Sequence, residues 1–306
     1  MPNPVFSPMR LSTLLAASGL ALCACIANAG QSVVPPPFAE SWHDGLHDEP
    51  IMQVQRVDAD TYVLRQSVKT NFEAPFMFLF FGHERALLMD TGAGGLKIRP
   101  TIDQVISQWM SEKKLSSLQL VVAHTHSHGD HIAGDSEFTD RPNTVVVGHS
   151  PEEVAAFFHV RSWPNDVVPF DLGSREVDII PMPGHEKAEI GLFDRQTHLL
   201  LCGDALYPGR LYIPSNPTNQ FPTYRDSIDR VVNYTRSLQV RWILGNHIEM
   251  TDKPGRDYAM HAPTHPQEHV LQLPYSSLLE LQKAVDAMGD TARLEVHNDF
   301  IIYPLP

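Results

Sequence analysis

Residues 118–131 read Leu118-Gln-Leu-Val-Val-Ala-His124-Thr-His126-Ser-His128-Gly-Asp130-His131. The first six form a short apolar strand, and a dense histidine cluster begins where it ends. Alternation at a strand end brings His124, His126 and His128 toward one side, and Gly129 then turns the chain to present Asp130 and His131. A lone histidine is usually a satisfied core or surface residue. Four histidines and an aspartate packed this tightly instead call for a cation, and imidazole nitrogens with a carboxylate suit Zn²⁺ or another first-row divalent metal.

The flanking sequence reads as an α/β sandwich. Strand-like segments at 52–57, 62–66, 76–81 and 85–89 are separated by turn-forming residues and predict an antiparallel start. Ile102, Val105, Ile106, Trp109 and Met110 recur at helical spacing. A strand over 144–148 leads to Ser150-Pro-Glu-Glu153, a capping box that opens a helix through Phe158. Further strands are predicted at 177–181, 189–193, 198–202 and 240–244. Helices are predicted at 223–238 and 276–288, and a last strand at 294–303. Strands leading into helices, twice over, place helices outside packed sheets. Residues 207–222 and 248–274 resist regular structure, and loops of that length are often functional.

The 306 residues carry 42% hydrophobic residues, enough for a sizeable core, and this excludes a disordered chain. Their net charge of −13 repels phosphate backbones and excludes a nucleic-acid partner. Residues 1–29 read as an export signal: Arg10, an apolar run from Leu11 to Cys25, then Ala27-Asn28-Ala29 as the cleavage site. The run is too short to span a bilayer, so no integral membrane segment is expected in the mature chain. A second reading of Leu22-Cys23-Ala24-Cys25 is a lipobox with lipidation at Cys25. Export points to the periplasm or the exterior. Residues 30–50 form a Pro-containing arm and 51–306 the catalytic domain. With Cys202 as the sole mature cysteine, no internal disulfide is expected.

Four further motifs follow the same logic of polar residues at strand ends. They are Leu88-Met89-Asp90-Thr91-Gly92, Pro183-Gly184-His185, Cys202-Gly203-Asp204 and Gly245-Asn246-His247. Together with His126-x-His128-x-Asp130-His131 they resemble, in order, the motifs of the metallo-β-lactamase superfamily from about residue 62 to residue 247. The resemblance implies an αββα sandwich with a dinuclear site on one edge. Carried over residue by residue, His126, His128 and His185 hold one ion. Asp130, His131 and His247 hold the other, Asp204 bridges both, and Asp90 orients a ligand from behind. Asp130 is also expected to serve in catalysis. The cofactors implied are two divalent ions, zinc first, with iron or manganese as alternatives.

Asp204 in Gly203-Asp-Ala-Leu-Tyr207 resembles the glyoxalase II and lactonase branches, so a hydrolase acting on a carbonyl ester, thioester or lactone is expected. A periplasmic β-lactamase is the alternative, and a mononuclear iron dioxygenase the alternative of another class. Only 59 residues follow His247 (306 − 247), and 248–274 is irregular, so a glutathione-binding helical domain is not expected. The partner is a small molecule. Tyr207, Arg210 and Tyr212 follow Asp204 and are candidates for its binding, with Arg210 either a carboxylate clamp or a solvated charge. Phe72, Phe76, Tyr207, Tyr212, Phe221 and Tyr258 are expected to line an apolar pocket. His124 is read as a structural neighbour, His149 and His198 as ordinary surface or turn residues. His261, His265 and His269 are placed on an exposed loop broken by Pro263 and Pro266, and Cys202 as a small buried hydrophobe.

Overall fold

Phe76-Met-Phe-Leu-Phe-Phe81 has no polar residue on either face, which fits only a strand covered on both sides. The computed structural model, which describes Met1, residues 37–215 and residues 218–305, places it so. The export signal, Cys25 and residues 30–36 of the arm lie outside the described residues.

The first sheet contains β1 (Met52–Asp58), β2 (Thr61–Gln66), β3 (Phe76–Phe81), β4 (Arg85–Met89), β5 (Gln119–Ala123) and β6 (Thr144–Val146), in that spatial order. It is antiparallel to β4 and parallel beyond, because α1 (Arg99–Lys113) makes the crossover from β4 to β5. The short α2 (Gly129–Ile132) follows β5, and α3 (Pro151–Phe158) follows β6. Ser150 caps α3 as read, with reciprocal bonds to Glu153. β7 (Val168–Asp171), β8 (Glu176–Pro181), β9 (Ile190–Asp194) and β10 (Leu199–Leu201) build the second sheet. The chain leaves it for β11 (Arg210–Pro214) and α4 (Phe221–Thr235), then returns with β12 (Trp242–Leu244) parallel to β10. After α5 (Tyr275–Met288), β13 (Glu295–Val296) and β14 (Ile301–Leu305) join β11 in a small third sheet.

Three apolar layers show the αββα order. Phe76, Phe78, Phe80 and Val121 of the first sheet meet Ile179, Ile190, Leu192 and Leu201 of the second. The opposite side of β3, with Met77, Leu79 and Phe81, packs on Ile102, Ile106 and Trp109 of α1. On the far side Ile180 and Leu200 pack against Ile228 and Val231 of α4 and Leu281 of α5.

Three local readings are corrected. Residues 210–214, expected to be irregular, form β11, because they pair in parallel with β14 some ninety positions later. The single final strand is a hairpin, β13 and β14. β7 was not anticipated, since Val168-Pro-Phe-Asp171 gives too short a pattern; it pairs with β8 as an edge strand, where a proline is tolerated.

Candidate metal centre

The edge of the sandwich collects the ends of β4, β5, β8, β10 and β12. The β5 end supplies His126 and His128, and α2 carries Asp130 and His131 on its single turn. His185 lies in the turn between β8 and β9, Asp204 follows β10 and His247 follows β12. Gly184, at φ 157°, brings its backbone against Tyr224, where a Cβ would sit 2.5 Å from that residue's Cα; only glycine lets His185 reach the edge.

Seven predicted ligands form two groups. His128 Nδ1 lies 3.0 Å from both His126 Nε2 and His185 Nε2. Asp130 Oδ2 lies 3.1 Å from His131 Nε2 and 3.3 Å from His247 Nε2, and those two nitrogens are 3.4 Å apart. Asp204 stands between the groups. Its Oδ2 is 3.9 Å from His126, 3.8 Å from His185 and 3.7 Å from His131, and its Oδ1 is 3.4 Å from His247. Four ligands about 2.05 Å from a tetrahedral zinc would stand about 3.3 Å from one another, so these spacings fit an ion.

The donor chemistry fits as well. Three imidazole nitrogens converging on one point cannot all be hydrogen-bonded to each other, and Asp204 Oδ1 is buried with no hydrogen-bond donor among the described residues. Burial holds His126 and His185 below the usual histidine range, so both keep a lone pair. Burial also opposes charge on His131 and His247, but Asp204, aided by Asp90 at His131 and by Asp130 at both, holds them well above it. Asp130 and Asp204 are held below the carboxylate range: burial opposes this, and His131 and His247 prevail. A cation bound there would compensate the two carboxylates in place of ring protons.

The rings are aimed from behind, as metal-bound histidines generally are. His185 Nδ1 donates to the Tyr212 carbonyl at 2.7 Å and His247 Nδ1 to the Glu73 carbonyl at 2.9 Å. Asp90 lies 3.4 Å from His131 Nδ1 and is itself fixed by Thr125 N (2.8 Å), the Thr125 hydroxyl (2.9 Å) and Asn246 Nδ2 (2.6 Å). Asn246 and the two carbonyls were not anticipated; a backbone acceptor has no signature in sequence, although Asn246 sits inside Gly245-Asn246-His247. Glu189 was also missed. It is buried beside Asp204 and accepts from its backbone N–H at 3.2 Å; burial, then the Asp204 charge, pushes its carboxyl well up.

The model of the Metallo-beta-lactamase superfamily matches residues 71–241, more than half of the chain. The chain belongs to the metallo-β-lactamase superfamily. Within it, the chain is 30% identical over 131 residues to a hydroxyacylglutathione hydrolase of Prochlorococcus marinus (strain MIT 9303), covering 40% of this chain and 49% of that protein. It is 25% identical over 208 residues to the human acyl-coenzyme A thioesterase MBLAC2, covering 56% of this chain and 72% of the relative. The chain thus spans about half the length of the first relative. Among solved structures it is similar to a metallo-β-lactamase from Pontibacter korlensis, with a TM-score of 0.48 and 18% identity over 77% of this chain and 99% of that one.

Beside His247 of this superfamily member lies a cavity of about 130 Å³ whose lining includes Phe72, Glu73, Arg210, Tyr212, Glu249, Tyr258 and His261. Several expectations are corrected here. Phe76 and Phe221 are wholly buried core residues and do not line this cavity. Tyr207 is also buried, its ring edge-on to His247 and its hydroxyl bonded to the Arg210 carbonyl and to Glu249. Arg210 lines this cavity and is buried rather than solvated: its guanidinium pairs with Asp257 at 2.7 Å and Glu249 at 3.4 Å, and donates to the Tyr258 carbonyl. His265 is not on an exposed surface; it is buried against Glu268, which holds Arg65 through two 2.6 Å contacts. Cys202 is buried as expected, and burial pushes its thiol up.

Proposed function

We propose that this chain is an exported, metal-dependent hydrolase that attacks a carbonyl ester, thioester or lactone at a dinuclear zinc site. The observation that carries the reading is Asp204, a buried carboxylate 3.4–3.9 Å from ring nitrogens of both ligand groups. When bound, a pair of divalent ions supplies a water pKa lowered to ~7 and polarisation of a carbonyl oxygen. The protein's part is to hold His126, His128 and His185 on one side and Asp130, His131 and His247 on the other, with Asp90, Glu73 and Tyr212 fixing their angles. Asp130, at 22% side-chain exposure the more open of the two carboxylates (Asp204 is at 8%), is the group this reading assigns to orient the attacking water.

The thioesterase and hydroxyacylglutathione hydrolase relatives support a thioester or ester carbonyl. The pocket argues for the rest of the substrate. Phe72, Tyr212 and Tyr258 offer aromatic surface, and the Arg210 guanidinium in the lining is already paired with Glu249 and Asp257, which leaves Glu73 to weigh against an anion. A small, neutral, mostly apolar acyl group therefore fits best. Export rests on residues 1–29, and lipidation at Cys25 is the variant of that reading.

The test is metal analysis of the purified mature protein followed by a panel: an aryl ester, an acyl lactone, a glutathione thioester, an acyl-CoA thioester, a cephalosporin and an aryl phosphodiester. Two tightly held zinc ions, chelator-sensitive turnover and preference for a neutral ester or lactone are expected. A cephalosporin turned over better than every ester, thioester and lactone would promote the β-lactamase reading. One iron per chain with oxygen consumption would replace hydrolysis by dioxygenation.

A further inference from the structure

A third cluster stands next to the seven ligands and is used by none of them. His124 directly follows β5, Asp135 follows α2, and His149 lies on the loop between β6 and α3. His124 Nε2 is 2.8 Å from Asp135 Oδ1, and His149 Nε2 is 2.7 Å from Asp135 Oδ2. The ligand atoms of all three lie within 4.8 Å of one another. Thr91 donates its hydroxyl to Asp135 Oδ1 at 2.7 Å, which fixes the carboxylate from the inner side. His124 is buried, whereas the His149 side chain is 38% exposed, so the cluster opens to solvent on that side.

We propose that His124, Asp135 and His149 form a separate site for a divalent first-row cation, with zinc as its natural probe. Two imidazoles and one carboxylate are borderline donors of the kind zinc prefers, and the open side leaves room for water to complete the shell. The present spacing is that of hydrogen bonds. Ligands at about 2.0–2.2 Å from zinc stand about 3.3 Å apart, so loading requires each ring to withdraw by roughly 0.5 Å. His149, on its exposed loop, can make that movement.

His124 Nδ1 is buried without a hydrogen-bond partner among the described residues. Binding through Nε2 leaves the proton on that unpartnered nitrogen, an unfavourable arrangement. The third ion is therefore held more weakly than those of the main centre and exchanges with zinc in solution. When present, it ties the segment just after Asp130 and His131 to the ends of β5 and β6.

The experiment is zinc stoichiometry of the full protein at buffered free zinc, measured by equilibrium dialysis and elemental analysis. Wild type is compared with His149→Ala, His149→Gln and Asp204→Ala. The wild type should bind one more zinc per chain than His149→Ala, with at least tenfold weaker apparent affinity than the tight ions. His149→Gln, which keeps a donor for Asp135, should lose the same ion. Asp204→Ala should keep it while losing zinc from the main centre. Equal zinc in wild type and His149→Ala at every concentration overturns the proposal, and so does a wild-type count in His149→Gln. The readout is a difference of one ion between variants, so it stands or falls separately from the number of ions in the main centre.

Discussion

The two ends of the β8–β9 pair bury charge in opposite ways. At one end, where Val177 faces Asp194, Arg175 grips the Asp194 carboxylate with two bonds of 2.9 and 2.6 Å. Arg175 also donates to the Asp60 carbonyl (2.6 Å) and the Thr61 hydroxyl (2.7 Å), which joins the second sheet to the first. Thr197 N satisfies Asp194 further at 2.9 Å. This cluster closes on itself, with one positive and one negative group and donors aimed at acceptors. At the other end, beyond Pro181 and Ile190, His185 joins a cluster in which three ring nitrogens converge and one Asp204 oxygen is buried with no hydrogen-bond partner among the described residues. The Arg175–Asp194 cluster therefore needs no cation, whereas the converging ring nitrogens around Asp204 suit one.

That contrast can be broken most forcefully at Asp204. Asp204→Ala removes the oxygen shared by both ligand groups. Turnover should fall well over ~100-fold, since even changes behind the ligands cost ~10–100-fold, and zinc content should fall while the fold remains. His261→Ala, on the rim of the cavity, should retain its zinc. Equal zinc loss in both variants would show that the ligand set is wrongly assigned.

Arg175→Met tests the opposite end. It strands a buried carboxylate, and breaking such a pair costs about 3–5 kcal/mol. Chemical denaturation should show that loss, with zinc content per folded chain unchanged. Acidity sharpens the test. Burial opposes ionisation of Asp194, but Arg175 overcomes it and holds the carboxyl below its usual range. The pair's contribution is therefore complete above ~4, the unfolded carboxyl value, and disappears as pH falls through the folded value. The variant should lack this part of the wild type's acid sensitivity. Zinc loss in Arg175→Met at neutral pH would mean that the two ends are not independent.

The comparison also explains what could be read from sequence. The ligands occupy strand ends and short turns, where a few adjacent residues such as His126-Ser-His128-Gly-Asp130-His131 state both geometry and chemistry. The αββα layering was legible because β3 is apolar on both faces while α1 is apolar on one. The Arg175–Asp194 closure was not, because its partners Asp60 and Thr61 come from a turn over a hundred residues earlier. β11 was hidden for the same reason: its strand character depends on β14. The carbonyls of Glu73 and Tyr212, which aim His247 and His185, carry no residue identity at all.

Arg210 marks where local reading fails most clearly, and it supports the smallest expected effect. Its position six residues after Asp204 suggests a substrate clamp, yet its guanidinium is spent on Asp257, Glu249 and the Tyr258 carbonyl. Those bonds hold β11 against the loop that carries Tyr258, and β11 also presents the Tyr212 carbonyl to His185. Arg210→Ala should therefore loosen the pocket wall rather than remove a binding charge. The expected result is a fall in kcat/KM of less than ~10-fold, about 1.4 kcal/mol, by the same factor for an acidic and a neutral ester. A selective rise in KM for the acidic ester would restore the clamp. It would also show that Arg210 can exchange its three protein partners for a substrate carboxylate, and this end of the molecule would then be less fixed than its hydrogen bonds imply.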